Sequence, residues 1–430
     1  MSRYLFVLLS SIFLCSAQAQ VPVSFDRAIS AFEAGEHENA RTAFDRMARA
    51  GFTEAQFNLG AMLLNGQGGE AKQIEGAAWI LVAAEEGYEP AVDTIEALQQ
   101  QLAADQLAEI DSKAIELRAD YGRQNLLDRH RPRLAEISED DQAKFESSTE
   151  RRFGQKFNRV VTTIGGSRVQ IDMHPPRYPR SAAENRIMGI VQLAAWLEPS
   201  GEIRHAHVVS AYPEGVFDSE ALRAYNRIQA KWLDEPPEQA KYIHRSIIFS
   251  LEGLRGGPIF RELERNIEEH DDDLAAQYRL IWLSENLSLD DIEPFDPDTV
   301  IQVTHRAAMA GVVDAQTDLA RQFRGGQALK KDAESTNFWL KQAAFEGDAQ
   351  ASFELSRCEL LDDGLRRDLR QAAIEQGHLS AVLMEIRELV ENPGQASAEN
   401  MAALLEQLPS EFRRDSSDPV LAQARQIAAG

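Results

Sequence analysis

His205-x-His207 places two imidazoles two residues apart, on one face of any strand, which is half the donor set of a transition-metal site. No third ligand lies nearby in sequence, so the pair reads as an exposed polar face, and neither metal nor cofactor is expected. Asp271-Asp272-Asp273 and Asp362-Asp363 lack the alternating ligands and central glycine of a calcium loop. They read as charges at helix ends. Gly66-Gln67-Gly68-Gly69 has no following Lys-Ser/Thr and no preceding strand, so it reads as a turn and not a phosphate cradle. No Ser/His/Asp, Cys/His or paired-carboxylate arrangement stands out. No catalytic residue is expected, and the chain is read as a non-enzyme. The remaining chemistry belongs to the main chain. Tyr242 to Leu251 reads as a last strand, and a strand at a sheet edge offers free amides and carbonyls to an extended peptide.

The elements around that strand follow from local pattern. Val191, Leu193, Ala195 and Leu197 recur with period two, as do Ile247, Phe249 and Leu251, which predicts half-buried strands. Pro199-Ser200-Gly201 supplies turn chemistry before a strand from Ile203 to Val209. Asp218 reads as an N-cap, with Phe217 placed to staple against Leu222. Ala221, Leu222, Tyr225, Ile228 and Trp232 keep to one helical face, predicting a helix to about Trp232. The order is helix, strand, turn, strand, helix, strand: a small α+β domain with a three-stranded antiparallel sheet and two helices.

Pro176, Tyr178, Pro179, Ala182, Gly189, Val191, Gly201, Gly215, Phe217, Asp218, Ala221 and Leu222, in that order, resemble the C-terminal domain of the TonB energy-transducer family. The resemblance covers about a fifth of the chain. It implies capture of a short N-terminal segment of outer-membrane receptors by strand addition. By that analogy Tyr242, Ile243, His244, Arg245, Ser246 and Ile247 form the docking edge, with Pro176, Arg177, Tyr178 and Pro179 nearby.

On either side the chain is helical and repetitive. Gly51 and Gly87 lie 36 residues apart, each followed four residues later by Ala, at Ala55 and Ala91. The signature returns as Gly311 with Ala315, Gly347 with Ala351 and Gly377 with Ala381. Met47, Ala83, Ala307, Ala343 and Ala373 stand four residues before these glycines, and Trp79 and Trp339 eight before theirs. A period in the thirties built from helix pairs marks an α-solenoid. Leu59, Leu319 and Leu355 are placed to fill its interior. The block from Ala55 through Gly60, Trp79 and Ala83 to Gly87 resembles a Sel1-like repeat, a relative of the TPR. The second block departs from that family at Ala320, where Gly is preferred.

A formal charge of −24 argues against phosphate-binding surfaces, and no basic stripe with interleaved aromatics appears, so nucleic acid is excluded as a partner. Arg3, the apolar run from Tyr4 to Leu14 and Ala17-Gln18-Ala19 read as a cleaved signal peptide. Cleavage would leave Cys358 as the one remaining cysteine, read as a buried structural thiol. The expected organisation is a signal peptide over 1–19, Sel1/TPR-like repeats over 21–125 and a linker over 126–165. The TonB-like domain follows over 166–254, a helical region with Sel1-like repeats over 255–392, and a helical tail over 393–430. The reading is a periplasmic protein-interaction protein of a Gram-negative envelope, with protein partners and no membrane contact once the leader is removed. The alternative is a TonB-type transducer coupling inner-membrane energy to outer-membrane receptors, for which the N-terminal segment would remain as an anchor.

Overall fold

The structure, a computed structural model, describes residues 21–134, 160–251, 265, 273–286, 295–326, 329–414 and 418–430. The leader with Cys15, most of the expected linker, Arg255 to Pro258, and Asp271 and Asp272 lie outside the described residues. The chain forms two compact units, residues 1–126 and 127–430.

In the first unit six helices precede the boundary: α1 (Phe25–Glu33), α2 (His37–Ala48), α3 (Thr53–Asn65), α4 (Gln73–Glu85), α5 (Glu89–Gln99) and α6 (Ala104–Tyr121); α7 (Arg123–Arg129) carries it. The helices pair as the glycine spacing predicts. Gly51 and Gly87 both sit at φ +86, the left-handed conformation in which a helix ends without a Cβ penalty. Gly60 and Gly76 face each other where α3 crosses α4: a Cβ on Gly60 would lie 2.7 Å from the Gly76 carbonyl oxygen. Ala55, Leu59 and Trp79 are fully or almost fully buried there.

The second unit holds two three-stranded antiparallel sheets and the remaining helices. One sheet has the order β1 (Val160–Ile164), β2 (Ser167–Asp172), β5 (Gln229–Trp232). The other has the order β4 (Ile203–Tyr212), β3 (Gly189–Leu197), β6 (Lys241–Phe249). The α+β class with flanking helix pairs is therefore observed, with one sheet more than expected. The extra sheet arises because 160–164, expected to be linker, pairs as β1 with β2, and because the expected long helix stops early. α8 (Arg180–Glu184) precedes β3, α9 (Asp218–Tyr225) follows β4, and β5 follows α9 directly. Ile228 and Trp232, four apart, suit a helix face and alternate strand positions equally, and pairing with β2 decides the matter. Asp218 is the first residue of α9 and not its cap; its Oδ1 accepts from the Gly215 amide at 3.1 Å.

The C-terminal helices are α10 (Leu274–Asn286), α11 (Pro297–Met309), α12 (Val313–Gly325), α13 (Ala333–Phe345), α14 (Ala349–Ser356), α15 (Asp363–Glu375), α16 (Leu379–Glu391), α17 (Ala398–Gln407), α18 (Ser410–Arg414) and α19 (Pro419–Ala429). Asp273 and Asp362 are helix-end charges as expected, accepting from Ala276 and Leu365 amides respectively. Cys358 is half-buried, less enclosed than expected. Among the described residues no helix is long and apolar enough to cross a membrane.

β3 departs from its half-buried reading. Eight of its nine residues are buried, so both faces of the sheet are covered. Val191, Leu193 and Ala195 pack on one face with Phe217, Ala221 and Tyr225 of the α9 segment. On the other face Trp196 joins Phe353, Val382, Ile386, Met401 and Leu421 from the C-terminal helices, while Ile190 meets Leu283 of α10. A period-two pattern cannot register this second cover, because Ala194 and Trp196 are apolar in either case.

Candidate functional site: the β6 edge and the polar seam beneath it

β6 pairs with β3 without a bulge from Gly189↔Phe249 to Leu197↔Lys241. It is the terminal strand of its sheet, and among the described residues no strand pairs with its other side. The expected edge position is therefore observed. Its side chains are more committed than expected. Ile243, Ile247 and Phe249 lie in the core beneath α9, and Ile247 is 1% exposed. Tyr242 points to the other face, where its hydroxyl lies 2.8 Å from Ser380 Oγ of α16 and its ring 5.5 Å from Phe353. Burial pushes the Tyr242 hydroxyl up to about 12. His244 and Ser246 are exposed, and Arg245 is half-buried. What the edge offers a guest is main chain, with those three side chains beside it.

The Pro176–Pro179 stretch divides. Tyr178 packs edge-on to Phe249 at 5.9 Å and donates its hydroxyl to the Ile187 carbonyl at 2.6 Å, placing it under one end of β6. Pro176 and Arg177 instead line a shallow groove with Glu220, Arg223 and Arg227, a cavity of about 40 Å³ beside α9.

His205 and His207 are not on an exposed face. Both are buried, at 7% and 6% exposure, against the C-terminal helices. His207 engages both ring nitrogens: Nδ1 lies 2.7 Å from the His205 carbonyl oxygen and Nε2 2.7 Å from Ser380 Oγ. Burial, reinforced by His205 and His244 nearby, lowers its pKa to about 4 despite the carbonyl contact, so it is neutral at pH 7. That leaves no lone pair for a metal. His205 sits in a bulge of β4, with φ +53, where the register with β3 slips by a residue. In a regular strand neighbouring side chains point oppositely; the bulge lets both Arg204 and His205 reach one carboxylate. That carboxylate is Asp418, 3.3 Å from Arg204 Nη1 and 2.7 Å from His205 Nε2. The histidine contact is close but lacks hydrogen-bond alignment. Burial opposes the Asp418 charge. His205, the Leu421 amide and Arg204 outweigh it and hold the carboxyl far below the ordinary range. Through Leu421 the same residue caps α19, so one side chain joins sheet and C-terminal helix.

A second link crosses the seam from Glu198, which pairs with Arg387 at 2.6 Å. The Arg387 guanidinium also lies 5.2 Å from the centre of the Trp196 ring. Asp418, Ser380 and Arg387 belong to helical segments more than 160 residues beyond β4 in sequence. The one signal that sequence offered was His205-x-His207 itself, a pair of polar residues in an apolar strand context.

Comparison with known proteins places a family on part of the chain. Residues 174–251 match the family model described as the Gram-negative bacterial TonB protein C-terminal. Two solved structures are similar at low scores. One is a protective antigen of uropathogenic Escherichia coli strains displaying an SLR fold, 14% identical with a TM-score of 0.29, covering 89% of this chain and 68% of that one. The other is a Sel1 repeat protein from Oxalobacter formigenes, 15% identical with a TM-score of 0.22, covering 80% of this chain and 95% of that one. At those scores the helix-pair reading stands on the chain's own spacing and packing. No curated protein matches the chain.

Proposed function

With a TonB C-terminal module at residues 174–251, we propose that this chain is a non-enzymatic protein-interaction protein of the Gram-negative periplasm that receives an extended partner segment on β6. The observation that carries the reading is the position of β6: nine residues paired on one side, with no described strand on the other. Each added main-chain hydrogen bond contributes about 1 kcal/mol net, and ordering the guest offsets much of the sum, so capture is reversible. The C-terminal helices serve as a fixed mount. Asp418, Ser380 and Arg387 tie them to the sheet.

The test uses the whole chain with a partner isolated from an envelope extract. Hydrogen exchange is followed with and without it. Slowed exchange confined to residues 241–249 supports strand addition. Protection restricted to the helix pairs, with β6 unchanged, rejects it. Ile247→Pro is a poor probe, since Ile247 lies in the core and its replacement would disturb the fold itself.

A further inference from the structure

β6 carries Lys241 and Arg245 and no carboxylate, within a chain whose net charge is −24. Arg245 shares a face with Ile243 and Ile247, beside Tyr225 of α9. On the opposite face the exposed Arg357 lies over the Tyr242 ring, 4.9 Å from its centre, and 5.6 Å from that of Phe353. Neither arginine has a carboxylate within ion-pair distance among the described residues. Glu354, whose charge also reaches Arg357, is buried and makes its ion pair with Arg324 at 2.8 Å. Among the described residues the edge is thus flanked by two cations without an ion-pair partner, one on each face, at positions three residues apart along β6 (Tyr242 and Arg245).

We infer that the occupant of β6 is an acidic extended segment of a partner protein, with carboxylates on opposite faces of the added strand answering Arg357 and Arg245. The inference rests on the edge reading above and adds the guest's chemistry. A guest strand alternates its side chains between the two faces, so residues an odd number apart present carboxylates to both arginines. Guanidinium–carboxylate pairs are stronger than neutral contacts and favour the matching charge over its reversal. Arg357 comes from the segment after α14, so the helix pairs contribute to recognition as well as to support.

Three fluorescein-labelled ten-residue peptides of alternating Val and Thr are titrated against the full chain by anisotropy. Two positions three apart carry Asp, Asn or Lys. The Asp peptide is expected to bind about tenfold tighter than the Asn peptide, with the Lys peptide weaker still. In the chain carrying Arg245→Glu and Arg357→Glu the order reverses, and Arg357→Met alone removes most of the Asp preference; circular dichroism confirms that both variants are folded. Equal affinity for all three peptides overturns the inference. A version of the Asp peptide N-methylated at alternate amides separates it from the edge reading. If methylation abolishes binding while charge has no effect, β6 still receives a strand and the acidic guest is wrong. If the Asp peptide binds regardless of methylation, or no peptide binds, both fall. A dimer of the chain that the Asp peptide dissociates would make a second copy the occupant and overturn the choice of partner.

Discussion

Two stretches of this chain, 51–87 and 311–347, superimpose by a constant sequence offset of 260 and differ in what surrounds them. Gly66 and Gly326 both turn the chain at the helix end, with φ of +65 and +64. Gln56 and Gln316, both buried, donate from Nε2 to the carbonyls of Ala48 and Ala308 at 3.2 and 3.1 Å. Trp79 and Trp339 are completely buried. The differences lie at the crossing and at the tryptophan. Where Gly60 and Gly76 let the first helices touch backbone to backbone, Ala320 and Thr336 stand in the second block. Trp79 Nε1 is buried without a hydrogen-bond partner among the described residues, whereas Trp339 Nε1 donates to the His130 carbonyl at 3.2 Å. His130 in turn lies 3.0 Å from Ser335 Oγ and stacks on Phe338 at 4.5 Å. The lesson is that the repeat skeleton needs small residues at its crossing and a large one in its interior. The polar ties are supplied separately by whatever packs outside it.

The histidines give the widest contrast. Of the nine in the chain, the first unit holds His37 alone. In the second, burial lowers the pKa of His130, His207, His305 and His378, to about 4 for His207 and His378. A histidine held neutral in the fold but free to protonate when unfolded leaves stability intact above its unfolded pKa of 6.5. That stability is lost as pH falls toward the folded value. By pH 5, His207 and His378 together cost the second unit about 4 kcal/mol. Hydrogen exchange resolved by peptide should show the second unit opening between pH 6.5 and 4 while residues 25–121 hold. Simultaneous loss of both units would break the contrast.

A smaller effect sharpens the crossing. Gly60→Ala sets a methyl 2.6 Å from Ile80 Cγ1 and 2.7 Å from the Gly76 carbonyl oxygen, and should destabilise the first block by about 2 kcal/mol. The reverse change in the second block, Ala320→Gly, should cost only about 1 kcal/mol, from helix propensity and a lost methyl. Urea midpoints of the two variants against the parent decide it, and equal losses would mean the two crossings are equally tight.

Smallest is the tryptophan tie. Trp79→Phe removes a donor that has no partner among the described residues, and Trp339→Phe strands the His130 carbonyl. The second should exceed the first by about 1 kcal/mol, read as a difference in thermal or urea midpoints. Equal costs would mean that the His130 carbonyl does not discriminate the blocks.

Much of this arrangement was legible before any coordinates. Helix pairs recur because Gly, Ala and Leu recur at fixed spacing, and those contacts are local. Strand order around β6 followed from alternating residues and Gly201. The misreadings share one cause. Whether Gln229 to Trp232 continues a helix or forms β5 depends on β2, some sixty residues earlier. Whether His205 and His207 face water depends on α16 and α19, far later in the chain. Sequence patterning reports which face of an element is apolar, and it is silent on what comes from a distance to cover the other.

By itself, then, the sequence determined the helix pairs and the strands and turns of the TonB-like module, since periodicity and turn residues act within a few positions of one another. Only the tertiary structure decided that the sheet is covered on both faces, that Asp418 holds Arg204 and His205, and that Arg357 stands over Tyr242. Burial and ion pairing join residues more than a hundred positions apart, and no local pattern encodes that proximity.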